Sequence, residues 1–272
     1  MADWESWVGK RTVCEALLSA EPANMLAATL GREREFEIGD EMPLAYQWLY
    51  FNDVISANRL GRDGHPQKGI TLPPIDLPRR MWAAGSFELH RPLVFGSHVE
   101  RISTIESIVP KEGRSGSLCF VTILHEYANE GTIALSEKQT IVYREEATDS
   151  TAVARVPAPT GASQSEKWQL NEVALFRYSA LTFNGHRIHY DVDYARNIEG
   201  YPGLVIHGPL EATLLCELMR ANGVVPRTFA YQAKSPVCLP EAFVTNVSST
   251  ADGHELWVSG EDGGLLMSAK AS

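Results

Sequence analysis

Hydrophobic and polar residues alternate with two different periods in the first half of the chain. Apolar residues recur at helical spacing over residues 16–30, and Gly31 follows as a stop signal. From residue 82 to 143 the period shortens to that of strands, and the runs are separated by Gly96, residues 111–116 and residues 129–131. Long strands joined by short glycine-containing turns predict an antiparallel meander. A helix followed by such a sheet indicates an α+β unit.

The second half of the chain repeats this order of elements. Residues 208–222 place their leucines on one helical face, and Gly223 is suited to cap the C-terminus of that helix. Three or four β-like runs follow, broken by residues 252–253 and 262–264. Two helix-wrapped antiparallel sheets in one chain predict a double hot-dog fold of the α+β class.

Three segments stand apart from these packed units. Residues 146–166 are small, polar and proline-containing, which predicts a linker between an N-terminal unit, 1–145, and a C-terminal unit, 167–272. Residues 60–78 are rich in glycine and proline, and a loop of this length inside a compact domain is usually functional or disordered. The alternating aromatic residues Tyr46, Trp48 and Tyr50 predict a short strand.

Composition and charge narrow the class of protein. The 272 residues include 34 acidic and 24 basic ones, and the net charge of −10 argues against a nucleic-acid binder. Four widely spaced cysteines without a C-x-x-C pair argue against a disulfide framework and a zinc site. The N-terminus lacks an apolar signal core, and no apolar run is long enough for a membrane span. These features predict a soluble, cytoplasmic globular protein that binds neither nucleic acid nor membrane.

The densest group of polar residues lies at 176–191, with the sequence FRYSALTFNGHRIHYD. Apolar residues are interspersed in it, so some of its polar groups should be buried. Farther along, His207, Gly208 and Pro209 open the apolar helix, whose N-terminus offers free N–H groups to an oxyanion. A solvated loop is the simpler interpretation of the cluster, and a hydrogen-bonded structural histidine is the simpler interpretation of His189.

The cluster, together with YPGLVIHGPL at 201–210, resembles the motif of MaoC-like hydratases. Within that family, the sequences of these two segments are most similar to the branch of hydroxyacyl-thioester dehydratases that also contains bacterial mesaconyl-C4-CoA and itaconyl-CoA hydratases. Residues 72–93 and 113–131 resemble the non-catalytic N-terminal hot dog of that branch. The resemblance covers nearly the whole chain and implies a double hot dog whose C-terminal unit is catalytic.

The resemblance also implies roles for individual residues. Asn184 falls at the acid position of the motif, His189 at the general-base position, and Gly208 at the residue whose N–H polarises the thioester carbonyl. Many relatives have an aspartate where Asn184 stands, so a mechanism with His189 as the single base is preferred here, and Asp191 or His186 as a second acid or base is the alternative. No metal and no cofactor is implied, because the coenzyme A is part of the substrate.

Arginines are the candidates for binding the anionic groups of such a substrate, because a guanidinium contacts carboxylate or phosphate in a bidentate manner. The candidates are Arg79, Arg80, Arg177 and Arg187, with Arg80 and Arg187 preferred.

The resemblance implies an enoyl-CoA hydratase that converts itaconyl-CoA or mesaconyl-C4-CoA to citramalyl-CoA. The alternatives are a 3-hydroxyacyl-thioester dehydratase of fatty-acid synthesis and a non-catalytic hot-dog protein that binds acyl thioesters. The expected partner is a small-molecule CoA thioester, and a homodimer is compatible with the fold.

Overall fold

The computed structural model describes residues 4–33, 36–113, 116–146 and 154–272. The α-helices of these residues are α1 (Ala20–Thr29), α2 (Glu172–Leu181), α3 (Val192–Asn197) and α4 (Gly208–Ala221). The strands of the N-terminal half are β1 (Arg11–Leu17), β2 (Arg79–Leu89), β3 (His98–Gly113), β4 (Gly116–Asn129) and β5 (Thr132–Arg144). Those of the C-terminal half are β6 (Gln164–Trp168), β7 (Thr228–Ala233), β8 (Phe243–Thr250), β9 (Gly253–Gly260) and β10 (Leu265–Ala271).

All ten strands form one antiparallel sheet in the order β1-β3-β4-β5-β2-β7-β10-β9-β8-β6. Counted from the outer edge inward, the N-terminal half runs first, third, fourth, fifth, second, and the C-terminal half runs in the same relative order. The halves join where β2 pairs with β7, from Ala84 opposite Gln232 to Glu88 opposite Thr228. The repeated topology confirms the predicted double hot-dog fold.

Helix α4 is the central helix of the C-terminal half and is buried along most of its length. It packs on β8 and β9, and its apolar side chains join a core that includes Leu26 of α1, Tyr127 of β4 and Phe229 of β7. Burial of each large apolar side chain contributes about 1.5–3 kcal/mol, so this shared core holds the two halves together. No helix formed by the described residues has the length and apolar character needed to cross a membrane.

The N-terminal half differs from the sequence prediction in two places. The helix predicted from residue 16 begins at Ala20, because residues 11–17 form the edge strand β1 against β3. The strand predicted from the aromatic alternation is wrong, since Tyr46–Leu49 form a 3-10 turn. The turn is favoured because it directs both Gln47 and Trp48 to the buried carboxylate of Glu137, at 3.3 and 2.8 Å.

The predicted linker, 146–166, lies only partly within the described structure. Residues 147–153 are outside the described residues. The last three residues of the predicted linker, from Gln164, belong to strand β6, which pairs with β8. The C-terminal sheet therefore begins slightly earlier in the chain than the composition indicates.

Candidate active site

A cavity of about 720 Å³ lies between the two halves of the molecule. Its wall in the C-terminal half carries, among others, the polar residues Asn184, His186, His189 and Glu211, together with Gly208. Its wall in the N-terminal half carries, among others, His65, Arg80, Trp82, Arg101, His125 and Arg144. The cavity thus gathers part of the polar cluster of the sequence, the start of α4, and the glycine- and proline-rich segment 60–78.

The end of helix α2 sets the position of Asn184. The Asn184 N–H donates to the Ser179 carbonyl at 2.8 Å and the Phe183 N–H to the Ala180 carbonyl at 3.3 Å, which is the Schellman pattern of a helix C-terminus. The left-handed position of that pattern usually holds glycine, but here Phe183 occupies it with φ of 50°. The phenylalanine costs about 1–2 kcal/mol relative to an unstrained backbone, and its side chain lines the cavity.

Asn184 keeps its amide donors available to the cavity. Its Oδ1 accepts a hydrogen bond from the His186 N–H at 3.0 Å. Because this contact requires an acceptor, it identifies the side-chain atom facing the backbone as the oxygen. The Nδ2 hydrogens are therefore available to donate to a molecule in the cavity. An asparagine held in this way can donate to the oxygen of a water molecule.

His189 has one ring nitrogen fixed and the other available as a proton acceptor. Nδ1 lies 2.7 Å from the Val205 carbonyl oxygen, so Nδ1 carries the hydrogen and Nε2 has the lone pair. The ring is buried, and burial lowers the pKa of His189 to about 4. Its imidazole is therefore neutral at pH 7 and can take a proton from a bound water molecule.

His207, the residue before α4, supports the ring of His189. The two rings stack with centroids 3.6 Å apart and an angle of 17° between their planes. Ser179 Oγ lies 2.8 Å from His207 Nε2, which fixes the second ring in turn. Burial, then the neighbouring His189 and His186, lower the pKa of His207 well below its usual value, so the stacked pair is neutral.

Two further histidines extend this row of rings. His186 meets His189 edge-on at 5.5 Å, and His65 lies 4.6 Å from His186. Burial lowers the pKa of His65 to about 3 and that of His186 well below 6.5. Among the described residues, no three His, Cys, Asp or Glu side chains are arranged to hold a metal ion.

Gly208 begins helix α4 at the cavity wall, with Pro209 following it. The first N–H groups of a helix have no acceptor within the helix, and the helix dipole makes its N-terminus positive. A Cβ atom added to Gly208 would meet nothing within 4 Å, so there is space beside this backbone. The position suits a negative charge that develops on a carbonyl oxygen.

The backbone of the glycine- and proline-rich segment contacts the loop that follows α2 and carries Asn184 and His189, here called the catalytic loop. A Cβ atom on Gly64 would stand 1.9 Å from the Gly185 carbonyl oxygen, and φ at Gly64 is +87°. The Arg187 N–H donates to the Asp63 carbonyl at 2.9 Å. This close approach is what brings His65 of the N-terminal half against His186 of the C-terminal half.

Arg79 and Arg80 are adjacent in the sequence, but only Arg80 lines the cavity. Arg80 lines the cavity and pairs with Asp63 through Nε at 3.0 Å and Nη2 at 3.3 Å, and Nη2 also donates to the Pro66 carbonyl at 2.7 Å. Arg79 pairs with the buried Glu199 at 2.6 Å and does not line the cavity.

The remaining candidates from the sequence do not line the cavity. Arg177 is exposed on α2, and Arg187 pairs with Asp191 at 2.7 Å on the surface. Asp191 caps α3 by accepting the Tyr194 N–H, and this bond, followed by the Arg187 contacts, lowers the pKa of Asp191. The expectation that Asp191 serves as a second acid or base is not supported, because its carboxylate contacts Arg187 and the Tyr194 N–H outside the cavity wall. The other candidate for that role, His186, does line the cavity.

Sequence reasoning missed three groups at this site: His65, His207 with its partner Ser179, and Glu211. His65 was visible only as an isolated histidine, and His207 stood in the segment before the apolar helix without an expected role, because the ring contacts of both are tertiary. Glu211 stands three residues after Gly208, a spacing that places both on one helical face. That spacing was the available signal for Glu211.

Comparison with known proteins gives matches along nearly the whole chain. The hydroxyacyl-thioester dehydratase type 2 family matches residues 45–239. Mesaconyl-C(4)-CoA hydratase of Chloroflexus aurantiacus is 38% identical over 98% of this chain and 97% of its own length. The mitochondrial hydroxyacyl-thioester dehydratase type 2 of Schizosaccharomyces pombe is 26% identical over 91% of this chain and 92% of its own.

Solved structures with similar folds include HtdX of Mycobacterium tuberculosis, with a TM-score of 0.69 at 17% identity over 96% of this chain and 99% of that one. A MaoC-like dehydratase of Phytophthora capsici has a TM-score of 0.71 at 14% identity over 97% and 95%. At these identities the structures bear on the fold alone. The match to the family model and the 38% identity together show that this chain belongs to the hydroxyacyl-thioester dehydratase type 2 family.

Proposed function

We propose that this protein is a hydro-lyase that adds water reversibly to the double bond of an α,β-unsaturated CoA thioester. Its best substrates are then branched C5 dicarboxylic thioesters with citramalyl-CoA as product: mesaconyl-C4-CoA directly, and itaconyl-CoA only after its double bond has moved into conjugation with the thioester. The observation that carries the proposal is the neutral His189, with Nε2 as acceptor, in one cavity with Asn184 and the N-terminus of α4. The family match and the similarity to a mesaconyl-C(4)-CoA hydratase support the class of reaction.

The three groups divide the chemistry of hydration among them. The Asn184 amide donates to the oxygen of a water molecule, and His189 Nε2 takes one of its protons as the oxygen attacks Cβ of the substrate. Negative charge then moves to the thioester oxygen. The N–H of Gly208 and the helix dipole behind it stabilise that charge in a site shielded from bulk water.

The wall of the N-terminal half carries a hydrogen-bonded group of polar side chains among mostly apolar ones. Ser103 Oγ and His125 Nδ1 are 2.7 Å apart, and His125 Nε2 is 3.0 Å from Gln139 Oε1, all on the cavity wall. A long hydrocarbon chain placed against such groups would displace their remaining contacts with water without replacing them, which costs free energy. This polar group supports a short acyl chain at its own place on the wall, whereas the apolar remainder of the wall does not distinguish a C5 substrate from a long-chain one.

Arg80 is the arginine best suited to the free carboxylate of that acyl group. It is close enough to His65 and His186 to influence the pKa of both rings, and His186 adjoins His189. In a C5 acyl group the second carboxylate lies only a few bonds from the reacting double bond, so its partner must be near His189. A guanidinium has five donors, and Asp63 and Pro66 use only Nε and Nη2 of Arg80.

The test of the substrate class is a spectrophotometric assay at the enoyl-thioester absorption band. Wild-type protein is compared on itaconyl-CoA, mesaconyl-CoA isomers, crotonyl-CoA and a long-chain enoyl-CoA. Higher kcat/KM with the dicarboxylic thioesters supports the proposal. Preference for crotonyl-CoA or the long-chain thioester would instead favour a 3-hydroxyacyl-thioester dehydratase, and binding without turnover would favour a non-catalytic thioester-binding protein.

Arginine variants test the acyl group separately from the reaction. Arg80→Lys should lower kcat/KM for mesaconyl-C4-CoA at least tenfold more than for crotonyl-CoA, because only the former carries a free carboxylate. Arg177→Gln, exposed on α2 and outside the cavity wall, is the matched control and should leave both rates unchanged. Equal losses with both thioesters would assign Arg80 to the CoA part or to the fold.

A further inference from the structure

Glu211 is a buried carboxyl group at the cavity whose role neither the resemblance nor the reaction described above explains. Its exposed fraction is 4%, and it lines the cavity from the first turn of α4. Among the described residues, no hydrogen-bond donor or acceptor contacts its buried Oε2. A carboxylate in such a place would lack the hydrogen bonds that buried charges require, whereas a protonated carboxylic acid avoids the cost of a buried charge.

The position of Glu211 along the helix relates it to the reacting atoms. Residues three apart lie on one face of an α-helix with Cβ atoms about 5–6 Å apart. Glu211 therefore lies beside the N–H of Gly208, where the thioester oxygen is held in the proposed reaction. Cα of the substrate is bonded directly to that carbonyl carbon, so Glu211 is placed on the side of the molecule where Cα must receive a proton.

The charges around Glu211 do not stabilise its anionic form enough to ionise it at pH 7. Burial has the largest effect and, with Glu241, outweighs the opposing Arg155, so the pKa of Glu211 is raised to about 8. Arg155 is itself paired with Glu241 and with Asp262. The thiol of Cys238 also faces this region, and burial raises its pKa to about 11, so it is neutral.

We propose that Glu211 is the second proton-transfer group of this hydratase, donating the proton to Cα while His189 takes one from water. The role rests on the proposed function. It differs from both candidates that the sequence suggested, since Asp191 is committed to Arg187 and Tyr194 outside the cavity wall. His186 is a cavity residue, but its depressed pKa leaves it without a proton to donate at pH 7.

The protons and electrons of this step balance. An O–H bond of water breaks, its proton goes to His189 Nε2, and the oxygen forms a bond to Cβ. The electron pair of the Cα–Cβ double bond moves through the enolate and forms a C–H bond at Cα with the proton of Glu211. The protein is left with an imidazolium and a carboxylate, and a proton passing from His189 to Glu211 through solvent restores the starting state.

The decisive experiment compares wild type, Glu211→Gln and Glu211→Asp in the hydration of mesaconyl-C4-CoA across pH 5–10. Gln has nearly the same shape as the neutral acid but cannot donate its proton, so kcat should fall about 10²–10⁴-fold while KM stays within threefold. The wild-type rate should decline as pH rises through about 8, where Glu211 loses its proton. Asp should restore part of kcat and retain an alkaline decline.

Glu241→Gln provides a second measurement that does not alter the cavity wall. Because Glu241 raises the pKa of Glu211, its neutralisation should move the alkaline decline to lower pH and leave the plateau rate on the acidic side of that decline nearly unchanged. A merely structural Glu211 would give no such shift. This variant keeps the proposal testable if Glu211→Gln fails to fold.

Three outcomes overturn the proposal in distinguishable ways. A folded Glu211→Gln protein with more than a tenth of the wild-type kcat excludes Glu211 as the proton donor and leaves the hydratase function intact. An alkaline decline that Glu241→Gln does not move has the same meaning. Absence of turnover by wild type on every enoyl thioester overturns both the hydratase function and this role.

Discussion

The contact between Gly64 and Gly185 holds the N-terminal loop against the catalytic loop, and Gly64→Ala should break it. The added Cβ would stand 1.9 Å from the Gly185 carbonyl oxygen, where real contacts are essentially never below 3.0 Å, so one backbone must move by about 1 Å. Overpacking of this kind costs about 1–3 kcal/mol. The left-handed φ of +87° adds about 1–2 kcal/mol for a residue with a Cβ.

Together these effects predict a loss of about 2–5 kcal/mol in the free energy of unfolding. A displacement of about 1 Å at the catalytic loop also moves Asn184 relative to His189, which can lower kcat by about 10²-fold. The assays are thermal or denaturant unfolding and steady-state hydration of mesaconyl-C4-CoA. The Tm should fall by about 2–4 °C for each kcal/mol lost.

Gly131→Ala is the matched control for this variant. Gly131 has a similar φ of +73° in the hairpin between β4 and β5, but an added Cβ there would meet nothing within 4 Å. The control should lose only about 1–2 kcal/mol and keep its activity. If Gly64→Ala and Gly131→Ala lose the same stability and have the same kcat, the close backbone approach does not position the site.

Three further perturbations test other parts of the structure. Glu137→Ala should lower the free energy of unfolding by about 3–6 kcal/mol in denaturant titrations, because the carboxylate accepts short hydrogen bonds from Trp48 and Tyr127. A loss under about 1 kcal/mol would contradict this. Phe183→Gly should raise stability by up to about 1 kcal/mol by relieving the left-handed backbone, yet raise KM because the cavity wall opens; a marked destabilisation would argue against strain. On the acid side, kcat should decline near pH 4, where His189 gains a proton, and not near pH 6.5. Folding must be monitored in the same experiment. The histidine of the unfolded chain binds this proton at a higher pH than that of the folded chain, so the free energy of unfolding falls as the pH drops below 6.5.

The repeated architecture was predictable from the sequence because it rests on local periodicity. The structure contains the helix that the leucine spacing predicts, α4, and the strands that the long β-rich runs predict, β3, β4 and β5. Strand β1 was hidden because it is an exposed edge strand whose side chains carry little apolar alternation. Helix α2 was hidden because polar residues of the motif interrupt its apolar face, although Asn171 caps it through a 3.0 Å bond to the Ala174 N–H.

The candidate site could be predicted only where one segment carries it. Asn184, His189 and Gly208 follow from the motif, and all three line one cavity. His65 could not be found in this way, since its contact with His186 depends on a backbone approach between residues about 120 positions apart. The four candidate arginines could not be ranked from the sequence for a related reason, because ion pairs decide which guanidinium faces the cavity: Arg80 lines it and Arg187 does not.

Arg187 illustrates this point. It was one of the two preferred candidates for binding an anionic group of the substrate, but its i,i+4 partner Asp191 holds its guanidinium at the surface. Glu211, in contrast, had the appearance of an ordinary acidic residue in the first turn of a helix, where a negative charge is favourable. Only its burial in the cavity distinguishes it from a charged cap.

The central claim is that His189 is the base of a thioester hydratase, and one measurement tests it most directly. The decrease of enoyl absorbance is followed with mesaconyl-C4-CoA for wild type and His189→Ala, with Asn184→Asp as a companion that should keep partial activity. The account predicts turnover by wild type and a loss of about 10²–10⁴-fold in kcat for His189→Ala, with thioester binding largely retained. A folded His189→Ala protein that keeps more than a tenth of the wild-type rate would contradict it.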